Sequence, residues 1–132
     1  MKKAFIKTLL LLSVILTAAS CDKDEKEIGY DALPQKAQQF IAQYFPGMEC
    51  TRAVRDKDGG TTEYEAWLSD GTELDFDKQG DWTSVDCKFS ALPSGILPES
   101  IATDIAARYP DAVPYKVEKQ PGGYEIDIPG WE

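Results

Sequence analysis

The chain has 132 residues, 14 of them basic and 23 acidic, a formal net charge of −9, and no histidine. The missing histidine removes Ser-His and Cys-His nucleophile pairs and the common zinc ligand sets. The acidic balance argues against binding to nucleic-acid phosphates or adsorbing to anionic lipid through a basic face; a cationic partner surface or divalent cations fit better.

Residues 1–20 read as a secretory signal. Lys2, Lys3 and Lys7 form a positive start, Leu9–Leu12 with Val14, Ile15 and Leu16 form an apolar stretch, and small residues lead into Cys21. The stretch is shorter than the ~20 residues a membrane span needs. Ala18-Ala19-Ser20-Cys21 resembles a bacterial lipobox, in which the cysteine becomes the lipid-bearing N-terminus. The departure is Ala18, where a larger aliphatic residue is commoner; ordinary signal cleavage is the alternative. Removing Lys2, Lys3 and Lys7 with the signal leaves 11 basic and 23 acidic residues, a net charge of −12.

Residues 21–32 are expected to be the lipidated Cys21 and a flexible tether, since Asp22-Lys23-Asp24-Glu25-Lys26-Glu27 is all charge. Lys23-Asp24-Glu25 also resembles a lipoprotein export signal, so the expected location is the outer membrane, on its surface or periplasmic side. Cys50 and Cys87 remain for one disulfide or two free thiols, which spacing alone does not decide.

The rest of the chain repeats itself. LPQKAQQFIAQYFPG at Leu33–Gly47 returns as LPESIATDIAARYPD at Leu97–Asp111, an offset of 64; Arg52 and Ala53 map onto Lys116 and Val117, and Tyr64-Glu65 onto Tyr124-Glu125 at an offset of 60. Each copy opens with a helix that begins at Pro34 or Pro98 and stops at Pro46 or Pro110. Ala37, Phe40, Ile41, Tyr44 and Phe45 make the apolar stripe of the first, and Ile101, Ile105 and Tyr109 that of the second.

Strands follow the first helix. Cys50–Arg55 is one, of ambiguous phase. Glu63–Ser69 and Thr72–Asp77 alternate around an Asp70-Gly71 turn, and Trp82–Phe89 alternates after Lys78-Gln79-Gly80. Strict alternation puts Tyr64, Ala66, Leu68, Leu74, Phe76, Val85 and Cys87 on the covered face. It puts Glu65, Trp67, Glu73, Asp75, Trp82 and Asp86 on the other, and exposed aromatics of this kind mark contact surfaces.

The order of these pieces, with Tyr64-Glu65, Asp70-Gly71 and Phe76-Asp77-Lys78-x-Gly80-x-Trp82 as signatures, resembles the PepSY-like, beta-lactamase-inhibitor-like family of small secreted bacterial proteins. The resemblance runs from about Leu33 to the end. It implies an α+β fold of tandem units, each a helix on an antiparallel meander, with no catalytic centre and a sheet face that binds another protein. The units are residues 33–90 and 97–132, joined by a linker at 91–96. The second has no counterpart of Leu74–Phe89, so its sheet is expected to end two strands early.

The resulting expectation is a non-catalytic envelope lipoprotein, lipidated at Cys21. It contacts an unidentified envelope or extracellular protein through Trp67, Trp82, Glu65, Glu73, Asp75 and Asp86, with no cofactor or dedicated metal ligands. The alternative is a divalent-cation (calcium) responsive protein that uses the clustered Glu73, Asp75, Asp77 and Asp86 of the same face as a low-affinity site. Asp75-x-Asp77-x-Gln79-Gly80-Asp81 with Asp86 has the spacing of a calcium loop, but a hairpin there would send its oxygens to opposite faces.

Overall fold

The structure is a computed structural model that describes residues 23–88 and 90–129. The signal segment, Cys21, Phe89, Gly130 and Trp131 lie outside the described residues. The fold is α+β. Strands β1 (Lys23–Ile28), β2 (Cys50–Asp58), β3 (Thr61–Leu68), β4 (Glu73–Phe76), β5 (Trp82–Asp86), β6 (Lys116–Gln120) and β7 (Gly123–Asp127) form one antiparallel sheet in chain order. Helices α1 (Gln35–Tyr44) and α2 (Glu99–Arg108) interrupt the meander after β1 and after β5.

The expectation of two small sheets is corrected by the pairing of β5 with β6. Ser84 faces Glu118, Val85 faces Val117 and Asp86 faces Lys116, and the Cys87 N–H donates to the Tyr115 carbonyl at 2.9 Å. The second copy therefore extends the first sheet instead of building an unfinished one. The acidic tether is corrected as well: Lys23–Ile28 is β1, paired along its length with β2.

These two findings redefine the repeat. Ala53 and Val117 are equivalent in the sequence repeat, and they face Ile28 on β1 and Val85 on β5. On the other side they face Ala66 and Ile126. The repeated element is thus strand–helix–strand–strand, β1-α1-β2-β3 and β5-α2-β6-β7, with β4 between the copies.

One row of side chains crosses all seven strands: Ile28, Ala53, Ala66, Leu74, Val85, Val117 and Ile126. Ala53, Ala66, Leu74, Val85 and Val117 are buried, with Ile28 and Ile126 packed against them. Burying a side chain such as Leu74 or Val85 contributes about 1.5–3 kcal/mol, so this row is the spine of the core. α1 lies over it. Ala37, Ile41 and Phe45 are buried as the helical stripe requires, and Phe40 meets Phe76 edge-on at 5.7 Å.

α2 covers less than the sequence suggests. It has no buried residue; Ile101 and Ile105 are half-buried and Tyr109 is exposed. Ile96, just before it, is the buried anchor on this side. Cys50 and Cys87 are free thiols. Burial pushes Cys87 up to about 11 and also raises Cys50, so neither is an activated nucleophile.

The β4–β5 turn is clamped by α1. Asp77 Oδ1 accepts from the backbone N–H of Gln79 and Asp81, and Lys36 pairs with Asp81 at 2.9 Å. Gly80 has φ +94, and a Cβ there would stand 2.8 Å from Pro34 Cβ and 3.1 Å from the Ala37 nitrogen. Gly80→Ala is expected to cost about 2–4 kcal/mol. Gly71→Ala, where φ is +93 but nothing lies within 4 Å, is expected to cost only the strain of the left-handed backbone, about 1–2 kcal/mol. Urea denaturation of the two variants side by side checks the difference.

Candidate functional site

The face of the sheet opposite the helices carries two neighbouring rows. The first is Arg52, Trp67, Glu73, Asp86, Lys116 and Asp127; the second is Glu27, Val54, Glu65, Asp75, Ser84, Glu118 and Glu125. Between them runs a shallow groove of about 190 Å³ lined by Glu65, Trp67, Glu73, Asp75, Ser84 and Glu118, among others. Period-two alternation on β3, β4 and β5 aims these side chains to one side.

The first row is compensated. Trp67 Nε1 donates to Glu73 Oε1 at 2.9 Å and Lys88 Nζ donates to Glu73 Oε2 at 2.9 Å. The Arg52 guanidinium sits 4.8 Å from the Trp67 ring centre, and the Lys88 ammonium lies 3.6 Å from Asp86 Oδ2. The Lys88 contact holds Glu73 below its ordinary value, with help from Trp67. Lys88 does this from a left-handed backbone, φ 63, a conformation rare for a residue with a Cβ.

The second row is much less compensated: the Gln120 amide donates to Glu118 and Glu125, and among the described residues no cation pairs with Glu65, Asp75, Glu118 or Glu125. Burial raises the Asp75 carboxyl from 3.8 to about 6, and Glu65, Glu63, Glu73 and Glu118 push it the same way. Glu65 is raised by burial and by Glu25, Asp56 and Glu73, against a smaller opposing pull from Arg52. Five strands, β1, β3, β4, β6 and β7, thus bring acids to one row that itself holds no cation, although Lys116 of the first row lines the same groove.

Five of the six residues expected at the site come together: Glu65, Trp67, Glu73, Asp75 and Asp86. Trp82 does not. The β4–β5 register slips between Asp75 and Phe76, so Ser84 faces Asp75 and Trp82 faces Phe76 with Thr83 left over. Such a bulge reverses the phase of alternation. Trp82 therefore lies on the helix side, 6.4 Å from Phe40, stacked on Tyr124, with the Lys119 ammonium 4.2 Å above its ring. Alternation along Trp82–Phe89 places Ser84 and Lys88 on this face without marking them as site residues; Lys116 and Glu118 were missed. Lys116 and Glu118 arrive only through the β5–β6 pairing, though the alternation of β6 with Val117 inward carried a signal.

Among the described residues no group of three or more acids, cysteines or histidines is arranged to hold a metal ion. Asp77 is occupied with its turn, and Glu73 with Lys88 and Trp67, so the calcium-loop spacing does not become a cage. Also among the described residues, no helix is long and apolar enough to cross a membrane.

The chain is thus an α+β protein, a seven-strand antiparallel meander with two helices on one face and an acidic face on the other. Residues 62–130 match the family described as "Putative beta-lactamase-inhibitor-like, PepSY-like", and the chain belongs to this family. Three solved structures are similar. A "putative periplasmic protein" from Bacteroides vulgatus is 38% identical with a TM-score of 0.77, and 80% of this chain covers 84% of that one. A "putative calcium-regulated periplasmic protein" from Bacteroides thetaiotaomicron is 36% identical with a TM-score of 0.76 over 80% and 84%. A second Bacteroides vulgatus protein, of unknown function, is 30% identical with a TM-score of 0.76 over 80% and 85%. No curated protein matches the chain.

The sign of the pH dependence follows from Asp75. A carboxyl whose folded value, about 6, exceeds its ordinary 3.8 holds its proton more tightly when folded. Its contribution is fully present below the ordinary value and is lost as pH rises through the folded one. Asp75→Asn is expected to stabilise the protein by about 1–2 kcal/mol near pH 8, allowing for solvent screening. The gain should vanish toward about pH 4. Urea midpoints at the two pH values check this; an equal gain at both would show that Asp75 ionisation is not its source.

Proposed function

We propose that this protein is a non-catalytic, lipid-anchored binding module of the cell envelope, which engages a cationic protein surface through the open face. The observation that carries this reading is the unpaired strip Glu65–Asp75–Ser84–Glu118, which lies beside Trp67 and whose carboxylates have no ion-pair partner among the described residues. A partner lysine or arginine on that strip would neutralise carboxylates that repel one another in the free protein, while Trp67, fixed by Glu73 and Arg52, supplies a preordered aromatic edge. The net charge of −12 after signal removal steers the same class of partner. The groove is shallow, and the sequence has no histidine to pair with a nucleophile, which fits binding better than catalysis. The lipobox-like sequence at Cys21 supports the anchor, and the periplasmic descriptions of the relatives support the compartment.

The description of one relative as calcium-regulated favours a second reading for the same acidic face, a response to divalent cations. Among the described residues no side chains form a preassembled calcium site, so a response from them would arise from charge screening. Millimolar calcium is then expected to raise the melting temperature no more than equimolar magnesium, as differential scanning fluorimetry would show. A calcium-specific rise would put the second reading ahead of the first.

For the leading reading, crosslinking in intact cells followed by affinity capture should recover partners with the wild-type chain. Trp67→Ala/Asp75→Ala/Glu118→Ala should lose them by roughly tenfold or more, as hot-spot truncation does, and added salt should weaken capture by the wild type. Equal recovery of every partner by both chains would remove the open face as the binding surface.

A further inference from the structure

We propose that the pole of the sheet carrying the β2–β3 hairpin faces the membrane, so that the anchored protein stands on end with the opposite pole turned into the envelope space. The inference rests on the reading of Cys21 as the lipidated residue. It arises because the segment expected to be a flexible tether is a strand.

β1 begins at Lys23, two residues beyond Cys21, and two residues reach at most about 7 Å. Lys23 faces Asp58, the last residue of β2, and Gly59-Gly60 turns directly into β3. An anchor at Cys21 therefore holds this hairpin within about 15 Å of the lipid headgroups.

The meander fixes what else lies at that pole. Tyr64 faces Phe76, so the turn at Asp77–Gly80 points the same way. Gln120 faces Gly123 across the tip of the β6–β7 hairpin, which continues β6 beyond its pairing with β5. Ile28, Cys50 and the turn after Leu68 lie at the opposite pole. β2 alone, at nine residues, separates the poles by about 30 Å.

The charge at the lower pole agrees with anchoring by lipid alone. Lys57 and Lys78 are interspersed with Asp56, Asp58 and Asp77, and Lys36 is paired with Asp81. This is not the basic cluster that binds anionic headgroups. The upper pole differs. There Leu92, Leu97, Ala102, Ile105 and Val113 line a groove of about 240 Å³, and Val113 is 52% exposed. Standing on end keeps this apolar surface away from the bilayer and leaves the acidic face accessible from the side.

The test uses the full chain, exported by its own signal, extracted in detergent and reconstituted in phosphatidylcholine vesicles that contain a nitroxide-headgroup lipid. In a Cys50→Ser, Cys87→Ala background, a fluorophore is placed through Lys57→Cys or Lys78→Cys at the lower pole, or through Ser90→Cys near the upper. The expected result is quenching at 57 and 78 and none at 90. A Gly/Ser segment inserted between Asp22 and Lys23 should reduce quenching at 57 and 78 to the level at 90. Equal quenching at all three positions before the insertion, with lipid on Cys21 shown by mass spectrometry of the N-terminal peptide, would overturn the orientation and leave the anchor standing. An unlipidated Cys21 would overturn both.

Discussion

The structure depends on one seam, the three-residue pairing of β5 with β6. Val85 and Val117 face each other there, both fully buried, and the Cys87–Tyr115 hydrogen bond extends the ladder by one step. Without this pairing the second copy would be a helix and a hairpin, and an isolated hairpin is marginal in water. With it, the apolar row runs from Ile28 to Ile126 unbroken. The same seam completes the open face, because it sets Glu118 beside Ser84 and Lys116 beside Asp86. The family match, which starts within β3 and runs to residue 130, spans the seam.

Much of this was legible in the sequence. The helices, the hairpins at Asp70-Gly71 and around Gly80, and the repeat are all present, and the observed registers keep the repeat: Arg55 faces Tyr64 as Lys119 faces Tyr124. What was not legible was where the repeat begins. Lys23–Ile28 has the composition of a solvated tether, yet it is an edge strand, and edge strands are where charged residues are tolerated and useful. Its only apolar member, Ile28, sits where the spine needs it. A strand whose burial is confined to one residue leaves almost no periodic signal; its partner β2 defines it. Pairing between copies was hidden for a similar reason, since alternation specifies a strand's faces and not its neighbours.

Trp82 shows the same limit from another side. Alternation counted back from Val85 puts it outward, and a single extra residue at Thr83 puts it inward. Nothing in Trp-Thr-Ser-Val announces that bulge. Its reason is visible only in three dimensions: on the helix side the indole finds Phe40, Tyr124 and Lys119, more than the open face offers beyond Trp67. The candidate site loses one of its two indoles, and the core gains a bridge between α1 and β7.

The open face that remains is organised by unequal compensation. Arg52, Lys88 and Lys116 all fall on or beside the Trp67–Glu73–Asp86 row, and Lys88 holds its place from a left-handed backbone. One row over, Asp75 and Glu65 are partly desolvated among like charges. Both features are unfavourable in the free protein, and they border one groove. A chain selected only to fold could relieve the second with an asparagine at position 75, at the same volume. In the proposed binding role, the unpaired row next to a rigid, compensated one would act as stored electrostatic affinity. A cation arriving there gains from repulsions already present, and the indole beside it need not be ordered on binding. Because burial raises the Asp75 carboxyl to about 6, the proposed contact would weaken in mildly acidic surroundings, as protonation removes one of the charges that a cation meets there.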